Sequence, residues 1–224
     1  IQPIAEIGKI AQKHRIPFHT DACQAGNFDL NVDKLKVDLL SLNGSKIYGP
    51  KGIGILFKRR NIALEPLIHG GNQEFGLRSG TENVPGTVGF AKALELIQNV
   101  KEKENKRLTE LRDYFIQTIL HEIPQTNLNG HPAKRISNTI NISFAGIEAE
   151  SLVQHLSQKG IYVSMGSACN SREIEISPVL TAIKAKDPLG AVRFSLGKET
   201  TKKELEYVVK VLKEIVFNLR KVYK

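Results

Sequence analysis

The stretch Val37-Asp-Leu-Leu-Ser-Leu42 is almost wholly apolar, and it runs into Asn43-Gly-Ser-Lys-Ile-Tyr-Gly-Pro-Lys-Gly52, a set of small and polar residues. A short apolar run stopped by turn residues reads as a strand covered on both faces, as in sheets sandwiched between helices. The neighbouring sequence agrees. Residues 3–14 place Ile4, Ile7, Ile10 and Ala11 on one face of a helix, residues 16–20 read as a short strand, and residues 52–58 read as a third. Helix, strand, connection, strand is the order of an α/β domain. In open α/β sheets the ligand lies beyond the carboxyl ends of the strands.

Two such ends carry reactive groups. Ile16-Pro-Phe-His-Thr-Asp21 ends in an acid, and the apolar strand leads to Lys46. Such a pair suits pyridoxal phosphate (PLP): a lysine tethers the aldehyde, and a carboxylate keeps the pyridinium nitrogen protonated. Each residue also has an ordinary reading, since lysines are mostly surface residues and an aspartate after a strand often shapes a turn. Gln24, in Asp-Ala-Cys-Gln24, adds an amide that fits the phenolic oxygen of such a ring. The Gly-x4-Gly-Lys-Ser/Thr spacing of a P-loop is absent around Lys46.

The rest of the chain divides in two. Residues 59–85 are irregular, and long structureless loops in compact domains are usually functional. Residues 86–121 read as helix, with Leu94, Ile97, Leu108, Leu111, Phe115 and Ile119 as buried positions and a polar stretch at 101–107. Residues 124–132 read as a loop or linker. Beyond them come strands at 139–144, 162–164 and 191–196, with helices at 148–159 and from Thr201 onward. Thr201-Lys-Lys-Glu204 matches a capping box. The expected domains are 1–121, part of a larger domain, and 122–224, a smaller α+β domain.

Two residues of the second half stand out. Cys169 sits among small residues in Ser164-Met-Gly-Ser-Ala-Cys-Asn-Ser171, a setting for an accessible thiol nucleophile. Arg193 interrupts the apolar strand Ala191-Val-Arg-Phe-Ser-Leu196; gripping a substrate carboxylate or forming a structural ion pair would each explain it. Thr81 and Arg78 lie in a glycine-containing loop that can bind phosphate or simply turn. Cys23 reads as structural. Two cysteines make no disulfide framework or zinc site, which points to a reducing cytosol. The net charge of +9 fits a solvated basic surface or an acidic partner, and no aromatic-rich RNA-binding motif accompanies it. No run is apolar and long enough to span a membrane.

Asp21-Ala-Cys-Gln24, Gly44-Ser-Lys-Ile-Tyr-Gly-Pro-Lys-Gly-Ile-Gly54, His69-Gly-Gly71, Arg78-Ser-Gly-Thr-Glu-Asn-Val-Pro85, Gly166-Ser-Ala-Cys169 and Arg193-Phe-Ser-Leu-Gly197 together resemble the cysteine desulfurases of the NifS/IscS type, within the class-V aminotransferase group. The resemblance implies an aspartate aminotransferase-like fold (fold type I): part of a large domain with a mainly parallel sheet, plus a C-terminal α+β domain. It implies that Lys46 tethers PLP, that Asp21 pairs with the ring nitrogen and Gln24 with the ring oxygen, and that Asn43 and Ser45 lie where the family binds the phosphate. Thr81 would reach the phosphate of a neighbouring subunit, which implies a homodimer. Arg193 would hold the carboxylate of L-cysteine, and Cys169 would take the sulfur as a persulfide, leaving L-alanine. Cys169 is also implied as a transient iron–sulfur ligand. The sulfur would pass to iron–sulfur scaffold proteins or to tRNA-thiolation enzymes in the cytoplasm.

The chain departs from that family in two ways. Asn43-Gly-Ser-Lys46 stands where Ser-Gly-His-Lys is usual, which removes an imidazole beside the lysine. Relatives are also much longer, with an N-terminal part that supplies a phosphate-binding helix start and a histidine stacked on the ring, so the chain reads as a C-terminal fragment of impaired activity. The alternatives are a truncated, non-catalytic scaffold-binding partner and a related PLP lyase acting on selenocysteine.

Overall fold

In the computed structural model, which describes residues 2–165 and 176–222, the apolar run becomes strand β2 (Leu39–Asn43). Leu39, Leu40 and Leu42 are all buried, so both faces of the strand are covered. Strand β1 (His19–Asp21) lies parallel to β2 and sets Asp21 against Ser41. Strand β3 (Gly54–Lys58) lies antiparallel on the other side. The three described strands make one parallel and one antiparallel pair, a mixed sheet consistent with part of a fold type I domain. The antiparallel pair follows from the short return between β2 and β3, which contains no crossover helix, and parallel neighbours need one.

By internal packing the chain forms two compact units, Gln2–Glu102 and Lys103–Lys224. The division falls inside the long helix α3 (Val84–Glu122). The cause is visible in the helix itself: Phe90 and Ile97 belong to the first core, while Leu108, Phe115, Ile116 and Ile119 belong to the second.

The first core also holds Ala22, Val37, Leu40, Leu42 and Ile47. Helix α1 (Ile4–Lys13) uses only part of the face expected of it: Ile4 packs against this core and Ala11 is half-buried, while Ile7 and Ile10 are exposed at 38% and 61%. Its buried contact is Gly8, where a Cβ would fall 2.6 Å from the Leu35 carbonyl oxygen. The close approach to the short helix α2 (Val32–Leu35) therefore selects the face, overriding the isoleucine stripe. Asn31 caps α2 by accepting from the Asp33 and Lys34 amides at 3.0 Å.

The second unit is a four-stranded antiparallel sheet in the order β4 (Thr126–Leu128), β5 (Thr139–Phe144), β7 (Ala191–Ser195), β6 (Ser164–Met165). β4 lies within the stretch that reads as a linker. It is three half-buried residues held by ladder bonds to β5, too short for alternation to reveal it. Along β5, buried Ile140, Ile142 and Phe144 alternate with Asn141 and Ser143, and Asn129 donates to both of those polar side chains at 2.7 and 2.8 Å. The apolar side packs with the second half of α3, with α4 (Ala149–Gln158) and with α6 (Lys202–Val222). Phe115 meets Phe194 edge to face, ring centroids 5.2 Å apart. A short helix α5 (Pro178–Ala182) completes the unit.

The capping box opens α6 as the sequence predicts. The Glu204 carboxylate accepts from the Thr201 amide at 2.7 Å, and the Thr201 hydroxyl accepts from the Glu204 amide at 3.3 Å. Among the described residues no helix is long and apolar enough to cross a membrane. Leu152, fully buried between α4 and the sheet, is the test of this core. Leu152→Ala should lower stability by about 2–5 kcal/mol, whereas Leu120→Ala at a 40% exposed site should cost under about 1 kcal/mol, both read by urea unfolding.

Candidate cofactor site

β1 and β2 run parallel and end together, so the segments leaving their carboxyl ends meet at one edge of the sheet. Asp21 is the last residue of β1, and Gln24 comes three residues later, exposed. Asn43 is the last residue of β2, and Gly44–Ile47 continues as one turn of 3-10 helix that carries Ser45 and Lys46. Five of the predicted residues therefore gather at one edge: Asp21, Gln24, Asn43, Ser45 and Lys46. Thr81 lies in the same unit, exposed in the loop before α3. Arg193 belongs to the other unit. Cys169 lies outside the described residues.

The turn is rigid for reasons written in its glycines. A Cβ on Gly44 would meet the Pro50 carbonyl oxygen at 2.8 Å and the Ile53 side chain at 2.9 Å, and one on Gly54 would meet the Leu42 carbonyl oxygen at 2.8 Å. The Asn43 side-chain oxygen accepts from the Ser45 amide and hydroxyl at 2.9 and 2.8 Å. Buried Ile47 anchors the far end. Lys46, between them, is exposed. These bonds also separate the two residues that replace the usual serine and histidine. The Ser45 proton is committed to Asn43, whereas the Asn43 amide group keeps two N–H donors that suit an anion.

Asp21 is held ionised. Hydrogen bonding by the Cys23 thiol, and then by the Cys23 amide at 3.0 Å, pulls its pKa below the ordinary carboxylate value, and His19 adds to the effect. The same contacts act in reverse on Cys23. Burial first, and then Asp21, push its thiol up to about 11, and the nearby Lys46 only partly offsets this. Its sulfur also lies 4.0 Å from the Ser41 carbonyl oxygen. Cys23, expected to be structural, thus also grips Asp21. His19, a residue the sequence does not single out, joins this edge, its ring nitrogen meeting the Ser41 hydroxyl at 2.9 Å. The available signal was strand alternation, which puts residues 19 and 21 on one face.

In β7, Val192 and Phe194 point into the core, so Arg193 faces the other way, opposite Asn141 of β5 and Ser164 of β6. Its Nε is buried and without a hydrogen-bond partner among the described residues. An unpaired buried guanidinium donor is costly unless something anionic meets it.

An α/β sheet that presents an ionised acid and an amine at one carboxyl edge is a ligand-binding sheet. The chain belongs to the class-V aminotransferase family, matching it over residues 1–208, and members of this family use PLP. It is 50% identical to the cysteine desulfurase IscS of Dictyoglomus turgidum over 98% of its own length and 57% of that protein. Two solved structures are similar as well. One is a NifS-like protein from Rickettsia africae (TM-score 0.87, 30% identity, 96% of this chain and 57% of that one). The other is SspA in complex with cysteine (TM-score 0.64, 36% identity, 88% and 55%). The chain thus spans about half the length of the relatives it matches.

The residues present fit PLP. An ionised carboxylate suits a pyridinium, a primary amine on a fixed turn suits an aldehyde, and the free amide donors of Asn43 suit a phosphate.

Proposed function

We propose that this chain is part of a cysteine desulfurase that converts L-cysteine to L-alanine and carries the sulfur away on Cys169. The observation that supports it most is the convergence of Asp21 and Lys46 at one sheet edge, with Lys46 on a turn its glycines lock. Lys46 would hold PLP covalently, Asp21 and Gln24 would bind its ring, and Asn43, with Ser45 shaping the turn, would bind its phosphate. When bound, that group supplies an electron-accepting ring that makes the substrate α-proton removable.

The chain's own residues do the rest. Lys46 takes the α-proton and later returns one. Arg193 grips the substrate carboxylate, which answers its unpaired Nε. The Cys169 thiolate attacks the substrate sulfur; an S–S bond forms, the C–S bond breaks, and its electron pair stays with the carbon fragment that leaves as L-alanine. Cys23, held as a neutral thiol, is unsuited to that task. Thr81 would serve the phosphate of a second copy in a homodimer. The acceptors would be iron–sulfur scaffold or thiolation proteins in the cytoplasm.

The test uses the complete protein, supplied with PLP and L-cysteine under a reductant. Stoichiometric L-alanine and sulfide are expected. Failure to release L-alanine from L-cysteine would refute the reading.

A further inference from the structure

The second unit holds a pocket that none of these roles uses. It is a recess of about 410 Å³ lined by Asn127–His131, from the end of β4 onward, and by 183–186 after α5. Two of its lining side chains are cations, Lys184 and Lys186, and three more, His131, Asn127 and Asn129, carry N–H donors. None is an acid. Among the described residues neither lysine makes an ion pair, although eight such pairs occur elsewhere. The nearest acid in sequence, Asp187, is engaged by the Asn127 side-chain amide at 3.4 Å and feels the charge of Arg220.

The wall of the pocket is electropositive from behind as well. Arg135 donates through Nε to the His131 carbonyl at 3.1 Å and through Nη2 to the Asn129 carbonyl. Its Nη1 is buried with no partner among the described residues. Burial is the main cause of the lowered pKa of that guanidinium, and the charge of Arg112, itself buried, adds to it. Gly130 is in the left-handed region (φ 81°), and a Cβ there would meet Arg135 Nη2 at 3.3 Å, so the loop lies directly on the guanidinium. His131 Nδ1 accepts from the Ala133 and Lys134 amides at 3.0 and 2.9 Å, which leaves Nε2 as a proton-bearing donor.

We propose that this pocket binds a small phosphate-bearing anion, no larger than a mononucleotide, through Lys184, Lys186 and His131. The volume suits a ligand of that size. Two ammonium groups and an imidazole N–H in front of a half-buried guanidinium give charge-assisted donors, and the adjoining Asp187 carboxylate is engaged by Asn127. The proposal rests on residues that take no part in the cofactor site, so it stands or falls separately from the desulfurase reading.

The probe is inorganic pyrophosphate, titrated calorimetrically into the complete protein already saturated with PLP, so that the cofactor's own phosphate-binding groups are filled. Saturable binding at one site per chain is expected. The double variant Lys184→Gln/Lys186→Gln should weaken it at least tenfold, while Lys103→Gln/Lys106→Gln, which removes the same charge elsewhere on the unit, should change it less than twofold. Desulfurase activity should stay at the wild-type level in both. A parallel titration with AMP separates the sources: binding through the same two lysines, tighter than that of pyrophosphate, identifies a nucleotide, and weaker binding identifies a free polyphosphate. Equal loss in both double variants, or no saturable binding at millimolar pyrophosphate, overturns the proposal.

Discussion

Lys46→Ala, made in the complete protein, is expected to abolish the visible absorbance of bound PLP and to cut L-alanine release by about 10³-fold or more, since a positioned general base alone contributes about 10²–10⁴-fold. The size reflects how the residue is presented. The turn that carries Lys46 cannot shift to bring another amine into place, because Gly44 and Gly54 sit against backbone oxygens and Ile47 is buried behind it. Nor does a nearby group replace it; His19 is bonded to Ser41. Lys46→Arg sharpens the result. It keeps the positive charge, but a guanidinium stays protonated near neutral pH and can neither bond to an aldehyde nor accept a proton. Both variants should therefore lose the absorbance band, and only a role limited to charge would let Lys46→Arg keep activity. Retention of the band in Lys46→Ala would remove Lys46 from the site.

How much of this was legible beforehand depends on which force governs each element. β2 was readable because one property, continuous apolarity stopped by turn residues, is also what its burial requires. The capping box of α6 was readable for a similar reason, as its bonds are local and involve residues three apart. The edge that gathers Asp21 and Lys46 was legible from strand ends alone, since parallel strands finish on the same side. α1 was not legible. Its isoleucines form a proper helical stripe, yet the contact that decides its orientation is a glycine meeting a distant backbone carbonyl, and a missing side chain leaves no hydrophobic signal. β4 was hidden because three residues of ladder pairing carry no pattern.

The same distinction applies inside the site. Residue types at strand ends point to Asp21 and Lys46, but the bond from Cys23 that lowers the Asp21 pKa further is not displayed by a sequence. Ser45 is the reverse case. As a residue type it suits a phosphate, yet its hydroxyl is spent on Asn43. That bond shifts the phosphate-binding role toward the Asn43 amide group.

The two cysteines should part completely when each is replaced in the complete protein. Cys169→Ala is expected to reduce sulfide release from L-cysteine by about 10³-fold or more, the loss of a covalent acceptor, while Cys23→Ala should keep it within a few-fold. Cys23 is held back by burial first and by Asp21 second. With its thiol pushed up to about 11, it is protonated at pH 8 apart from roughly one molecule in a thousand, and the thiol is a poor nucleophile. Raising the pH should increase its alkylation by iodoacetamide about tenfold per unit until the pH nears that value, because each unit multiplies the thiolate fraction by ten. Mass spectrometry of the labelled protein at pH 8 should thus find Cys169 modified and Cys23 intact. Burial is the larger cause and Asp21 the second; Asp21→Asn tests the second, since it removes the charge that opposes the thiolate, and Cys23 should then label at a lower pH than in the wild type. A Cys169→Ala protein that still releases sulfide at the wild-type rate, or a Cys23 that labels as fast as Cys169 at pH 8, would mean that sulfur leaves by another route.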